Sequence, residues 1–124
     1  MSKQILIVED EVDIREAIAE AITDAGYEVH TASNGVEGLT KAKELHPDLL
    51  LVDLIMPQMD GNTMLQKLRE DKWGKQARVV VLTAMDDVAN VASTHEHDIQ
   101  DYIIKSHASL DEILNKVRIA LYAK

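Results

Sequence analysis

Four short apolar runs in this sequence each end at a residue type that can do chemistry. Carboxylate, hydroxyl or ammonium side chains follow directly: Glu9 and Asp10 after ILIV, Asp53 after LLLV, Thr83 after VVVL, and Lys105 after YII. Acids at a helix start, a threonine at an N-cap and a solvated lysine are each ordinary when they occur alone. Their shared position at the ends of apolar runs makes them one candidate site.

The chemistry of such a group follows from its charges. Three carboxylates in one place repel one another, and burial raises carboxyl pKa values further. A hard divalent cation relieves this repulsion, and Mg²⁺ commonly binds one or two carboxylates together with phosphate oxygens and water. An ammonium and a hydroxyl beside that cation are suited to holding a phosphoryl group. Asp53 is then the candidate nucleophile, and its product is an aspartyl phosphate.

Alternating element types must position these residues. Runs at 5–8, 28–32, 49–52, 79–82 and 102–104 predict five strands. Apolar residues at helical spacing predict helices over 12–24, 36–45, 64–68, 88–93 and 110–121. Gly26 and the pair His46-Pro47 are expected to end the first two helices, Asn34-Gly35 to form a turn, and the third helix to end near Trp73-Gly74.

The first, third and fourth strands are apolar throughout rather than alternating, which predicts a parallel sheet covered by helices on both faces. Five units fit a doubly wound α/β sheet, because a barrel of this kind needs eight. Ligands bind such sheets beyond the carboxyl ends of the strands. The chemistry-bearing residues are therefore expected at one edge of the sheet.

Composition excludes several functions. The chain has 124 residues, no cysteine and a net charge of −9, which argues against disulfides, thiolate metal sites and direct nucleic-acid binding. No apolar run approaches the roughly 18 residues of a membrane span. Acidic residues come too early for a signal peptide, so a cytoplasmic location is expected. Neither GxxxxGK[ST] nor GxGxxG occurs, which argues against nucleotide binding.

In their order along the chain, the acidic pair after ILIV and the segments VDLIMPQMDG, LTA and YIIK resemble the receiver domain of two-component response regulators. The resemblance covers essentially the whole chain, so residues 1–124 are interpreted as one receiver domain, similar in scale to a single-domain chemotaxis regulator. It implies a flavodoxin-like fold with five helices and a five-stranded parallel sheet in the order 2-1-3-4-5. It also implies that the domain only accepts a phosphoryl group and loses it slowly, and is not otherwise an enzyme.

The resemblance assigns a phosphoacceptor and a metal site. Asp53 would accept the phosphoryl group from the phosphohistidine of a sensor histidine kinase or phosphotransfer protein. Asp10, Asp53 and the backbone carbonyl of Ile55 would bind Mg²⁺ directly. Glu9 would bind the same ion through a water.

The resemblance also implies a switch. Thr83, Ala84 and Lys105 would bind the phosphoryl group, and Tyr102 would follow Thr83 inward as an aromatic switch. The face formed by the helix over 88–93, the fifth strand and the last helix would then change shape. Its target would be a downstream protein or an output domain outside this sequence, with no direct contact to nucleic acid or membrane.

The sequence departs from the family pattern at three places. Ser106 follows Lys105 where the family usually has proline, so we expect either a trans bond with a shifted loop or a strained cis bond. Asp98 replaces a glycine that commonly precedes the fifth strand. Ile55 and Met85, two residues after Asp53 and Thr83, are apolar, which predicts that water is shielded from a comparatively long-lived aspartyl phosphate.

Two other functions fit parts of the pattern. A phosphatase or phosphotransferase of the haloacid-dehalogenase type would also use an aspartate nucleophile. It requires a second acid two residues later as general acid, and that position is Ile55 here. A receiver-like interaction module that is not phosphorylated in the cell would lack part of the acid, threonine and lysine set, which is complete here. The sequence fits a stand-alone regulator or a receiver cut from a larger protein.

Overall fold

The computed structural model describes residues 2–84 and 97–122. The strands are β1 (Gln4–Val8), β2 (Glu28–Ala32), β3 (Leu49–Asp53), β4 (Val79–Thr83) and β5 (Asp101–Ile104). The α-helices of this part of the chain are α1 (Val12–Asp24), α2 (Gly35–Leu45), α3 (Gly61–Glu70) and α4 (Leu110–Tyr122), and a 3₁₀ turn covers Gly74–Gln76. The helix predicted over 88–93 and the side chain of Met85 lie outside the described residues, so four of the five predicted helices are found.

The sheet is parallel throughout and has the order β2-β1-β3-β4-β5, as predicted. Its central strands β1, β3 and β4 are buried at nearly every position. Alternate residues serve the two faces: Leu6 and Leu50 pack with α2 and α3, whereas Ile5 and Leu49 pack with α1 and α4. The uninterrupted apolar runs therefore reflect helices on both sides of the sheet.

Two predicted boundaries were wrong. Asn34 is not part of a turn but the N-cap of α2, where its side chain accepts a hydrogen bond from the Glu37 amide at 2.9 Å. Helix α3 ends at Glu70 rather than near Trp73, because Asp71 is extended and its carboxylate accepts the Gly74 amide at 2.9 Å. Gly74 lies so close to α3 that a Cβ there would stand 1.9 Å from the Leu68 carbonyl oxygen.

Candidate functional site

The acidic residues meet at the carboxyl edge of the sheet because β1 and β3 are neighbours in register, with Val8 beside Val52. Glu9 is fully buried just after β1, Asp10 is exposed, and Asp53 ends β3 with 3% of its surface exposed. One carboxylate oxygen from each of the three lies within 4.8 Å of the others. The structure thus brings together the three acids that the sequence singled out.

Asp53 is held by its own loop. Its Oδ1 accepts a hydrogen bond from the Ile55 amide at 3.3 Å, and the Gly61 amide donates to the Leu54 carbonyl at 2.8 Å. A Cβ on Gly61 would stand 2.5 Å from the Asp53 carbonyl oxygen, so only glycine lets α3 start this close to the acid. The turn after β3 therefore fixes both the backbone and the carboxylate of Asp53.

Lys105 neutralises part of this charge. Its ammonium Nζ lies 2.8 Å from Glu9 Oε1 and 3.2 Å from Asp53 Oδ2, and its side chain is 12% exposed. The Lys105 amide donates to the Thr83 carbonyl at 2.8 Å, which continues the pairing of β5 with β4 past the strand end. Lys105 thus reaches the acids from a strand two places away from β3.

The combined effect of burial and neighbouring charges raises the pKa values of Glu9, Asp53 and Lys105. Burial raises the pKa of Glu9 to about 7, although the hydrogen bond from Lys105 opposes the shift. Burial also raises the pKa of Asp53, against the hydrogen bond with Glu9 and the positive charge of Lys105. Burial disfavours the charged form of Lys105, but its hydrogen bond to Glu9 and the charge of Asp53 outweigh burial and raise its pKa. The single ammonium of Lys105 therefore does not fully offset the cost of burying these carboxylates in their charged form.

The donor set fits a hard divalent cation. Three carboxylates within one ligand sphere are oxygen donors of the kind that Mg²⁺ prefers, and an ion there would offset the charge that burial makes costly. The Ile55 amide donates a hydrogen bond to Asp53. The role of the Ile55 carbonyl as a metal ligand stays a prediction. The Ile55 side chain is 58% exposed.

The predicted switch residues lie on β4 and β5. Thr83 is 1% exposed, and its hydroxyl donates to the Ala84 carbonyl at 3.2 Å. Tyr102 is half-buried and packs against the α2 and α3 side of the core. Lys116 of α4 lies 5.4 Å from the centre of its ring and donates to its carbonyl at 2.7 Å. A cavity of about 290 Å³ opens beside Tyr102, between β5 and α4.

The first two departures from the family pattern can be compared with the structure. No peptide bond within the described ranges is cis, so the Lys105–Ser106 bond is trans, and Lys105 nevertheless points at Asp53. Asp98 adopts the left-handed conformation with φ of 61°, which is the backbone shape that glycine usually supplies. Asp98 therefore adopts the left-handed conformation without being glycine.

Two residues near the acids were missed by sequence reasoning. Arg15 of α1 donates to the Glu9 carbonyl at 2.8 Å and ties the loop after β1 to the helix that follows. Glu11 places Oε1 3.4 Å from Lys105 Nζ. The signal for both was weak, because a charged residue just before a helix or in its second turn is ordinary.

Comparison with known proteins agrees with this geometry. Residues 5–118 match the family model for the response regulator receiver domain. The chain is 38% identical over 103 residues to a probable transcriptional regulator ycf27 of Cyanophora paradoxa, covering 83% of this chain and 42% of that protein. It is 33% identical over 118 residues to the DNA-binding dual master transcriptional regulator RpaA of Synechocystis, covering 95% of this chain and 48% of the relative.

A solved structure extends the comparison to the fold. A putative response regulator from Chloroflexus aurantiacus superposes with a TM-score of 0.90 at 29% identity, over 98% of both chains. This protein belongs to the response regulator receiver domain family of two-component signalling. It spans less than half the length of the two curated relatives named above. Within the described ranges, no helix is long and apolar enough to cross a membrane.

Proposed function

We propose that this domain is a phosphorylation-activated receiver in which Asp53 accepts a phosphoryl group from a phosphohistidine of a sensor kinase or phosphotransfer protein. The observation that carries the proposal is the placement of Lys105 Nζ 3.2 Å from Asp53 Oδ2 inside a buried acidic cluster. An aspartate that only stabilised the fold would not need two further carboxylates beside it. Such a cluster costs folding stability, so its presence favours a role in binding or chemistry.

Mg²⁺ is the proposed cofactor, with Asp10, Asp53 and the Ile55 carbonyl as direct ligands and Glu9 acting through a water. When bound, the ion supplies positive charge that offsets the carboxylates and the oxygens of the incoming phosphoryl group. Glu9 also hydrogen-bonds Lys105 at 2.8 Å, so it orients the ammonium toward Asp53. The positive charge of Lys105 opposes the rise that burial causes in the pKa of Asp53, and a bound ion would oppose that rise further, which favours the carboxylate form needed for attack.

The transfer step is an in-line displacement. A carboxylate oxygen of Asp53 forms a bond to phosphorus while the bond from phosphorus to the donor imidazole nitrogen breaks. The imidazole leaves with the electron pair of that bond, and Lys105 faces the negative charge on the equatorial oxygens. The domain then carries an aspartyl phosphate that it hydrolyses slowly, and it does not turn over a substrate as a dedicated enzyme does.

Signal output would begin at Thr83, whose hydroxyl bonds only weakly to its neighbour Ala84 at 3.2 Å. A phosphoryl group on Asp53 offers stronger acceptors, which favours inward movement of Thr83 and Ala84. Tyr102 is one of the residues that line the cavity beside β5, and it would follow Thr83. The face of β5 and α4, together with the segment predicted as a helix over 88–93, would present the changed surface to a downstream protein or output domain.

The experiment is phosphorylation by a small acyl phosphate with Mg²⁺, followed by intact-protein mass spectrometry. Wild type should gain the mass of one phosphoryl group, and Asp53→Asn should gain none. The matched control is Asp60→Asn, which removes a nearby acid that caps α3. A gain that persists in Asp53→Asn would move the acceptor elsewhere, and no gain in wild type would favour the unphosphorylated interaction module.

A further inference from the structure

We infer that Glu11 is a specificity-determining residue that disfavours highly charged phosphodonors at Asp53. The inference rests on the proposed function, because it concerns which donors reach that carboxylate. Glu11 belongs neither to the predicted metal ligands nor to the predicted switch residues. Its Oε1 nevertheless lies 3.4 Å from Lys105 Nζ, the same ammonium that contacts Asp53.

Burial separates Glu11 from the other partners of Lys105. Glu9 and Asp53 have side chains that are 0% and 5% exposed, whereas the Glu11 side chain is 60% exposed. The Lys105 side chain is only 12% exposed. Glu11 therefore lies on the solvent side of Lys105, where a donor that approaches the ammonium meets its negative charge.

The position of Glu11 at the start of α1 does not explain the orientation of its side chain. Glu11 is the N-cap residue of α1, yet its side chain makes no capping hydrogen bond. Glutamate is not among the preferred N-cap residues, which use a shorter side chain to bind the N2 or N3 amide. Its local hydrogen bonds come from its backbone: the amide donates to Glu9 Oε2 at 3.1 Å, and the carbonyl accepts from the Arg15 amide at 2.9 Å. The carboxylate instead extends toward Lys105.

The expected consequence is electrostatic. Glu11 forms an ion pair with Lys105 and adds a negative charge on the solvent side of a cluster that is already acidic. A dianionic donor is repelled more than a monoanionic one, because the interaction grows in proportion to the donor charge. A donor that carries its phosphoryl group on a nitrogen leaving group with positive charge is disfavoured least. Glu11 thus biases Asp53 toward donors of the phosphoramidate class.

The test compares two small donors at neutral pH with saturating Mg²⁺. Acetyl phosphate carries two negative charges, and its phosphorus–oxygen bond breaks with acetate as the leaving group. Phosphoramidate carries one net negative charge, and its phosphorus–nitrogen bond breaks with ammonia as the leaving group. In both reactions Asp53 forms the new oxygen–phosphorus bond, and mass spectrometry gives the rate.

We expect Glu11→Gln to raise the ratio of acetyl phosphate rate to phosphoramidate rate about two- to fivefold. Added salt should raise that ratio in wild type more than in Glu11→Gln, because salt screens the repulsion. Glu11→Asp keeps the charge and should keep the wild-type ratio. Glu16→Gln is the matched control, since Glu16 is an exposed acid further along α1 and its removal changes the net charge equally.

Several outcomes would overturn the inference. They are an unchanged donor ratio in Glu11→Gln, an equal change in Glu16→Gln, or a Glu11→Asp variant that behaves like Glu11→Gln. Circular dichroism confirms that each variant is folded before its rates are compared. If wild type and Glu16→Gln accept phosphate from neither donor, the proposed function fails together with this inference. If they accept it and the ratio does not move, only the role of Glu11 fails.

Discussion

Cations lie at both edges of the sheet, but they face different partners. At the carboxyl edge, Lys105 contacts the carboxylates of Glu9 and Asp53. At the amino edge, Arg69 donates to the carbonyls of Gly74, Ala77, His97 and Asp98. Arg78 likewise donates to carbonyls in the last turn of α4. Lys105 therefore faces groups that titrate, whereas Arg69 and Arg78 face backbone groups that do not.

This difference separates chemistry from scaffolding. A carboxylate can exchange an ammonium for a metal ion, a proton or a phosphoryl group, so the pairing at the carboxyl edge can be replaced. A backbone carbonyl has no second protonation state, and a buried one left without a donor costs stability. Substitutions at the carboxyl edge should thus change reactivity and pH dependence, whereas substitutions at the amino edge should change stability alone.

The largest expected effect is that of Lys105→Met on reactivity. Removal of the ammonium that faces Asp53 should slow phosphoryl transfer from an acyl phosphate about a hundredfold, because one preorganised charge at the transition state is lost. Mass spectrometry over time gives the rate. Lys41→Met is the control, since Lys41 pairs with Glu37 on α2. A Lys105→Met rate close to wild type would contradict the role given to the ammonium.

Arg69→Met should show the opposite pattern. It leaves carbonyls of the 3₁₀ region and of the turn before β5 without their donor, which should lower the free energy of unfolding by about 2–3 kcal/mol. Urea denaturation followed by circular dichroism measures this loss. Arg118→Met removes an exposed arginine bonded to Asn115 and should cost little. A large fall in the phosphorylation rate of folded Arg69→Met would contradict the expectation that substitutions at the amino edge change stability alone.

The pH dependence of stability without Mg²⁺ provides a third test. Burial raises the pKa of Glu9 to about 7 and also raises that of Asp53, so the folded state holds protons more tightly than the unfolded chain. The resulting stabilisation is complete below the unfolded pKa and is lost as the pH rises through the folded pKa. The free energy of unfolding should fall by about 2 kcal/mol between pH 4.5 and 7.

Two controls sharpen this pH prediction. Glu9→Gln should flatten the decline, because the titrating group with the raised pKa is gone. Mg²⁺ should restore stability at neutral pH in wild type. A curve that rises over the same interval in wild type would show that the acids are stabilised in their charged form by Lys105 alone.

The smallest effect is expected at Asp98, on the amino edge. Its φ of 61° favours glycine, so Asp98→Gly should raise the free energy of unfolding by about 0.5 kcal/mol. Asp98→Ala should lower it by about 1 kcal/mol, since alanine has neither the flexibility of glycine nor a side chain that bonds locally. Urea denaturation of both variants gives the difference. Equal stability of the two would mean that the left-handed conformation is not retained.

The sequence predicted the carboxyl edge better than the amino edge, and the reason is physical. Asp53 and Lys105 could be placed because each follows a continuous apolar run, and parallel strands bring their carboxyl ends together. The strand order itself came from the resemblance, because no local signal sets which strands are neighbours. Burial of Glu9 but not of Asp10 could not be derived, since it depends on how the loop after β1 meets Lys105.

The contacts at the amino edge had no local signature. The early end of α3 depends on the close approach of Gly74 to Leu68, and two of the hydrogen bonds of Arg69 reach residues 28 and 29 positions away. An arginine in the last turn of a helix is usually explained by the helix dipole. Only the folded structure shows that Arg69 instead donates hydrogen bonds to the 3₁₀ region and to the segment before β5.

The single tryptophan of the chain adds an optical consequence to this arrangement. Trp73 stacks on the His46 imidazole with 4.4 Å between ring centres, at the edge opposite the acids. Its fluorescence will therefore follow global unfolding in every variant without an attached dye. Events confined to the carboxyl edge should leave the emission unchanged, so quenching during a Mg²⁺ titration at constant pH would signal coupling across the full length of the strands.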